Sequence, residues 1–218
     1  MYAPCGVRDD EPSQPSATNL IQNVAEVDGN SAFREAPCTG KHVRLRTITT
    51  LDYGLLQAAE LSPEVRHRWR YGGTTPSPEN WPQVFWQGVL AQFLVVRTRG
   101  EEPIGLVNAY GPNFQHGWAY VGATKLQPAD CSPYMMLGLA IFIEYVFCNW
   151  NFRKIYLELP EFNYPQFRTG EGRIFVLEGR LKQHSYYDGR LWDQMLLAIH
   201  RDAWYEAGRR FLALEGLA

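Results

Sequence analysis

Between Trp118 and Asn163 the chain reads strand, loop, long apolar helix and strand, and few folds accommodate that run. WAYVGATKL alternates and is rich in β-branched and aromatic residues. PYMMLGLAIFIEYVFCNW is apolar nearly all round, and KIYLELPEFN sets Ile155, Leu157 and Leu159 against Tyr156 and Glu158. Period-two alternation marks half-buried strands, and a helix without a polar face is buried on every side. Together the pieces predict a βαβ unit whose crossover helix lies in the core. Where QPADCS meets the helix, unpaired backbone N–H groups converge, so a ligand is first sought at that junction.

The flanking sequence builds a sheet around this unit. Residues 1–41 are rich in Pro, Ser, Asn and Asp with little periodicity, and read as a partly disordered N-terminal extension. The domain then runs over 42–218. HVRLRTIT opens it as an amphipathic strand, and Leu55, Leu56 and Ala59 give the next segment a helical face. PEVRHRWRY predicts a second helical piece. A third begins at Pro78 or Glu79, with Trp81, Val84, Phe85 and Val89 on one side. FLVVRT, PIGLVNAY and the strand at Trp118 follow as antiparallel neighbours joined by turn residues. Pro165, Gly170 and Gly172 argue against a regular helix after Asn163. Asp188-Gly189 marks a closing hairpin, and RDAWYEAGRRFLALE a terminal helix. The expected fold class is α+β (mixed α/β): one twisted, mostly antiparallel sheet flanked by helices.

Bulk properties exclude several roles. A chain of 218 residues with 45% hydrophobic content can bury a large core, and a net charge of −2 gives no general attraction for nucleic acid or an anionic membrane. Cys5, Cys38, Cys131 and Cys148 show neither metal-ligand spacing nor a disulfide framework, so no metal is expected. The N-terminus has no basic segment leading into an apolar one, and Tyr134 to Trp150 contains Glu144 and is short for a bilayer span. A cytoplasmic protein with reduced thiols is expected.

Particular residues add a resemblance. VRLRTIT with the following helix and PEV, EPIGLV, YVGATKLQP, EYVF, NFRKIYLEL and FVLEGRLKQHSYYDGRLWDQMLLAIHRDAW fall in an order and spacing that resemble the GNAT acyltransferase superfamily. Within it they are most similar to the RimJ/RimL-like ribosomal-protein-acetyltransferase branch. The resemblance covers His42 to Glu206. It implies transfer of an acyl group from coenzyme A to an amine, with Thr124, Lys125 and Leu126 on the splayed strand that holds the pantetheine arm. Tyr134 and Met135 fall at the pyrophosphate loop, and Asn163 at the end of the fifth strand. Sheet-edge dimers are common in such proteins, so a homodimer is a further expectation.

The sequence also departs from that pattern. Aligned on EYVF, the loop's two glycines become Pro133 and Met135; proline has no N–H to donate, and Met135 places bulk where backbone should approach a phosphate. Gly170 stands where many members place a tyrosine acid, and Tyr120 where a carboxylate often activates the amine. The resemblance implies acetyl-CoA or another acyl-CoA as donor and a small-molecule or peptide amine as acceptor; the degenerate loop points to a donor other than acetyl-CoA, such as a longer acyl-CoA or an acyl-carrier-protein thioester. The alternative is a non-catalytic GNAT-fold module that binds a ligand or a protein.

Chemistry-bearing candidates follow from the same requirements: a base for the amine and an acid for the leaving thiolate. Tyr120 and His184 are the catalytic candidates, with His116 a second neutral base. Glu158 faces either the cleft or solvent. Tyr186 and Trp192 could line an acceptor pocket, with Tyr187 beside them, and Cys131 has no recognisable His or Asp partner.

Overall fold

The computed structural model describes residues 38–66, 74–126 and 132–217. Of the expected extension only the last four residues fall in that range; Thr39 bridges Arg44, and the Gly40 N–H donates to the Val43 carbonyl. The segment 67–71 of the expected second helical piece lies outside the described residues.

The strands are β1 (Val43–Arg46), β2 (Val89–Arg97), β3 (Pro103–Asn113), β4 (Trp118–Lys125), β5 (Lys154–Pro160), β6 (Val176–Tyr187) and β7 (Arg190–His200). They form one sheet in the order β1-β2-β3-β4-β5-β7-β6. Each neighbouring pair is antiparallel except β4 and β5, which run parallel. Helices α1 (Tyr53–Leu61), α2 (Pro63–Arg66) and α3 (Trp81–Trp86) lie between β1 and β2 in sequence, and α4 (Tyr134–Asn149) crosses from β4 to β5. This is the mixed α/β sheet architecture read from the sequence.

Strand alternation divides the core in two. Val107, Ala109, Ala119, Val121, Ile155 and Leu157 face α4 and join its buried side chains. Leu94 and Leu106 point the other way, onto Leu56, Trp81 and Phe85 of α1 and α3. Because α4 is covered nearly all round, its one acid, Glu144, is only 1% exposed. Burying a lone carboxylate would be costly. Here Trp204 Nε1 donates to it at 2.7 Å and Arg209 lies at 3.2 Å, so the charge is paired while the C-terminal segment is fastened to the helix.

One expectation is corrected, and one is met. The third helix ends at Trp86 and Val89 opens β2 instead of extending the helical face, because Gly88 turns the chain with φ of +69°. After β5 the chain forms short 3-10 turns, Glu161–Gln166 and Arg168–Gly170, where Pro165 and the glycines disfavour a longer helix.

Two measurements check this packing. Gly138 of α4 lies against the Val95 side chain of β2, where an added Cβ would collide. Gly138→Ala is expected to destabilise the fold by about 1–3 kcal/mol through overpacking, read by denaturant unfolding. Asp52 accepts from Arg46, and from the backbone N–H and hydroxyl of Thr49, which hold its carboxyl down at about 2. A depressed folded pKa contributes stability that is complete above the unfolded value, 3.8, and is lost as pH falls towards about 2. The unfolding midpoint should therefore drop more steeply over that window in the natural protein than in Asp52→Asn.

Candidate functional site

β4 and β5 pair over only three rungs, Trp118 with Lys154, Ala119 with Ile155 and Tyr120 with Tyr156. Beyond them each strand stays with its other neighbour. β4 follows β3 to Lys125 opposite Gly105, and β5 follows β7 to Pro160 opposite Gln194. The sheet is therefore open between Val121–Lys125 and Leu157–Pro160. Backbone groups along both edges of this gap have no ladder partner across it.

A cavity lies on each side of the opening. On the α4 side a cavity of about 280 Å³ is lined by Lys125, Met135, Leu157, Asn163, Phe167 and Tyr186, among others. On the side of α1 and α3 a cavity of about 380 Å³ is lined by Phe85, Gln92, Asn108, Tyr110 and Thr124. Gly122, Ala123, Glu158 and Gln194 border both, so the two meet at the gap. The absence of a side chain at Gly122 makes room for Asn108: a Cβ there would stand 2.5 Å from Asn108 Oδ1. A third, largely apolar cavity of about 310 Å³ lies between α4 and β7, under Phe167, Ile174 and Phe175. It shares Met136, Leu139, Leu157, Gln166 and Phe167 with the first.

Glu158 is the charged group at the meeting point. Tyr110 is pushed well above the ordinary phenol range, first by burial, then by the charge of Glu158 and by Tyr120. Tyr120 is raised for the same reasons: burial first, then Glu158 and Tyr156. Its ring stacks on Tyr110 at 5.5 Å and meets Tyr156 at 5.5 Å. Both phenols thus remain protonated near neutrality, close to a carboxylate.

At the start of α4, Met135 is buried, packed so closely on Gly105 that a Cβ there would collide with its sulfur, and it also lines the α4-side cavity. The feature that alters the junction is Pro133, which brings no N–H and whose carbonyl accepts from Met136 and Leu137 at 2.9 and 3.1 Å. Residues 127–131, with Cys131, lie outside the described residues.

The structure gathers Lys125, Met135, Glu158, Asn163 and Tyr186 around one opening, with Thr124 in the adjoining cavity. Tyr120 occupies the last rung before the gap. Leu126 packs with the α1 and α3 core, and Tyr134 stacks on His42 with Arg97 over its ring. Trp192 packs on Phe162 and donates to the Tyr187 carbonyl. His184 is exposed on β6 and His116 exposed in the turn before β4; neither lines these cavities. Gln92, Asn108, Tyr110 and Gln194 were not singled out by sequence. Their signal is a polar residue at a core-facing position of an otherwise apolar strand, as in LAQFL and GLVNA. Among the described residues no group of three His, Cys, Asp or Glu could hold a metal, and no helix is long and apolar enough to cross a membrane.

No protein-family model and no curated protein matches the sequence. Solved structures match in shape. A spermidine N-acetyltransferase from Vibrio cholerae, in complex with CoA and spermine, superposes with a TM-score of 0.63 at 20% identity, covering 75% of this chain and 98% of that one. A GNAT-family acetyltransferase from Bacillus anthracis gives 0.61 at 16% identity, covering 76% and 98%. The chain therefore has the fold of the GNAT acetyltransferases.

The phenol next to Glu158 can be followed directly. In ¹³C-tyrosine NMR, with Tyr110→Phe supplying the assignment, the Tyr110 signal should not move through the ordinary phenol range near pH 10. Glu158→Gln should bring its titration down without restoring that value, because burial is the larger cause.

Proposed function

We propose that residues 42–218 form an N-acyltransferase that moves an acyl group from an acyl thioester to an amine, with the two substrates meeting in the gap between β4 and β5. The single observation that carries this reading is the parting of those strands after three rungs. It leaves a strand edge free to pair with the amide-bearing arm of a thioester on the α4 side, while the second cavity admits an amine from the opposite side. The fold shared with a spermidine N-acetyltransferase solved with CoA and spermine supports both halves. Within the superfamily, the EGR, YYDG and WD pieces of the closing hairpin favour the RimJ/RimL-like branch.

Acyl transfer needs a neutral amine, a polarised thioester carbonyl and a proton for the leaving sulfur. Glu158, with the Tyr110 phenol beside it, is the acceptor for the amine's proton. As the C–N bond forms and the C–S bond breaks, the nitrogen's proton passes to Glu158, and Tyr120, still protonated, supplies one to the thiolate. Glu158 then returns its proton to the Tyr120 phenolate, so the site is restored. Lys125 and Asn163 line the donor side. The donor is acetyl-CoA, a longer acyl-CoA or an acyl-carrier-protein thioester. Pro133 favours a carrier that leans less on amide donors at the α4 start, and the adjoining apolar cavity offers room for a longer chain.

That same altered junction is what favours the second reading, a GNAT-fold binding module without turnover. Titration calorimetry with acetyl-CoA and longer acyl-CoAs, followed by thiol release with an amine panel, separates the two. Heat with thiol release is expected; heat without release selects the module, and no heat removes CoA as the donor. Glu158→Gln is expected to lower kcat/KM by about 100-fold or more, with the loss concentrated in kcat. Unchanged turnover in that variant and in Tyr120→Phe would sink the assignment of both residues.

A further inference from the structure

Transfer of an acetyl group makes no use of the cavity of about 310 Å³ between α4 and β7. Its floor is hydrocarbon: Leu139, Ala140, Ile143, Leu197 and Ile199 line it and are at most 4% exposed. The polar side chains Gln166, Thr169 and Arg210 are exposed and stand at its rim. The indole N–H of Trp204 is already given to Glu144 at 2.7 Å. Close-packed interiors keep few spaces of this size, and an apolar one stays dry and takes apolar ligands. Its roof is pinned in place. The N–H groups of Ile174 and Phe175 both donate to the Gly170 carbonyl, at 2.8 and 3.4 Å, and the Tyr164 hydroxyl donates to Glu171.

The way in lies on the donor side of the gap. The two cavities there share Met136, Leu139, Leu157, Gln166 and Phe167, and Met136 and Gln166 are exposed at the junction. Ile143, Ile199 and Trp204 line the inner cavity and not the outer one. Met136, Ala140 and Ile143 lie at i, i+4 and i+7 on α4, along one face and over about 10 Å of helix axis. We infer that this cavity is a ruler for the donor's acyl group: a medium-length alkyl chain passes Met136, runs along α4 and ends at Ile143 against Trp204. An extended chain advances roughly 1.3 Å per carbon, and a methylene fills about the volume of a water molecule, roughly 30 Å³. Length and volume therefore both allow about eight to ten carbons. Shorter chains enter too, with an affinity graded by the methylenes they bury. The inference rests on the acyl-transfer reading and sets which donor chain that reaction holds best.

The test is titration calorimetry with acetyl, butyryl, hexanoyl, octanoyl, decanoyl, dodecanoyl and tetradecanoyl pantetheine. These carry the arm common to coenzyme A and acyl carrier proteins without the adenosine pyrophosphate, so Pro133 does not bear on the result. Binding should tighten by about three- to fourfold per methylene up to octanoyl or decanoyl and then stop. Ala140→Leu, which fills the cavity midway, should move that break to shorter chains. Ile143→Ala, which removes the end wall, should move it to longer ones. No heat with any ester, a flat series, a series that still tightens at tetradecanoyl, or a break that neither variant moves overturns the inference. The series in the natural protein decides even where a variant fails to fold. Thiol release from the acetyl and octanoyl esters with an amine panel reads the underlying reaction separately. Release without a chain-length break leaves acyl transfer standing alone; a break without release overturns acyl transfer and, with it, the chain as a transferred group.

Discussion

A parallel strand pair that begins and then stops is an unstable arrangement unless something else holds each strand, and the functional architecture of this chain depends on how that is done. β4 is retained by its antiparallel ladder with β3, and β5 by its ladder with β7, both running well past the point where the two strands part. Each strand therefore keeps one full edge of hydrogen bonds and gives up only the inner one. The cost falls on the backbone groups facing the gap, and groups of that kind are paired in native proteins by another chain, by water or by a ligand. A thioester carried on an amide-containing arm is suited to such an edge, because it offers the same alternation of donors and acceptors that a missing strand would.

The crossover helix makes the parting possible. α4 is buried over most of its length from Met135 to Phe147, Met136 being exposed, and spans both strands, so β4 and β5 are fixed to a common support even where they no longer touch. Its position is set by close approaches at Gly105 and Gly138 and by the Glu144 pairing with Trp204 and Arg209. Removing one partner of that buried group would strand the other, a change far more damaging than the pair itself is stabilising. The terminal segment thus bears on the site without lining the gap. Glu215 does the same for the sheet edge: it accepts from the backbone N–H groups of His42 and Val43 and pairs with the His42 ring at 3.0 Å.

Much of this was legible in the sequence, and the reasons for what was not are local. Strand alternation in β3, β4 and β5, the apolar helix between Tyr134 and Asn149, and the Asp188-Gly189 hairpin fixed order and type because each signal is periodic or turn-specific. Val89 was read on the wrong element because a helical spacing from Phe85 ran across Gly88, and only the left-handed φ there shows that the chain has turned. Where Met135 packs was not legible, because sequence gives a side chain's size and not its direction; Gly105, thirty residues earlier, lies against it. Tyr110, Asn108 and Gln92 escaped for a related reason. Each becomes a site residue only through register with Gly122 and the gap beyond, and register across three strands is not written in any one of them.

The two ends of the gap differ in how strongly they constrain chemistry, and that difference orders the functional argument. On the α1 and α3 side the groups are few and directional: one exposed carboxylate, the Tyr110 phenol beside it, and the amides of Asn108 and Gln194. Directional groups discriminate, because a ligand that does not match them forfeits their hydrogen bonds. On the donor side the α4 start has Pro133 in place of a donating amide, the carbonyl of Pro133 takes the next N–H groups, and the space continues into an apolar cavity beside Trp204. Apolar walls discriminate weakly by length and hardly at all by head group. Under the proposed acyl transfer, the side of the gap with directional groups would select the amine, and the apolar side would tolerate acyl chains of different length.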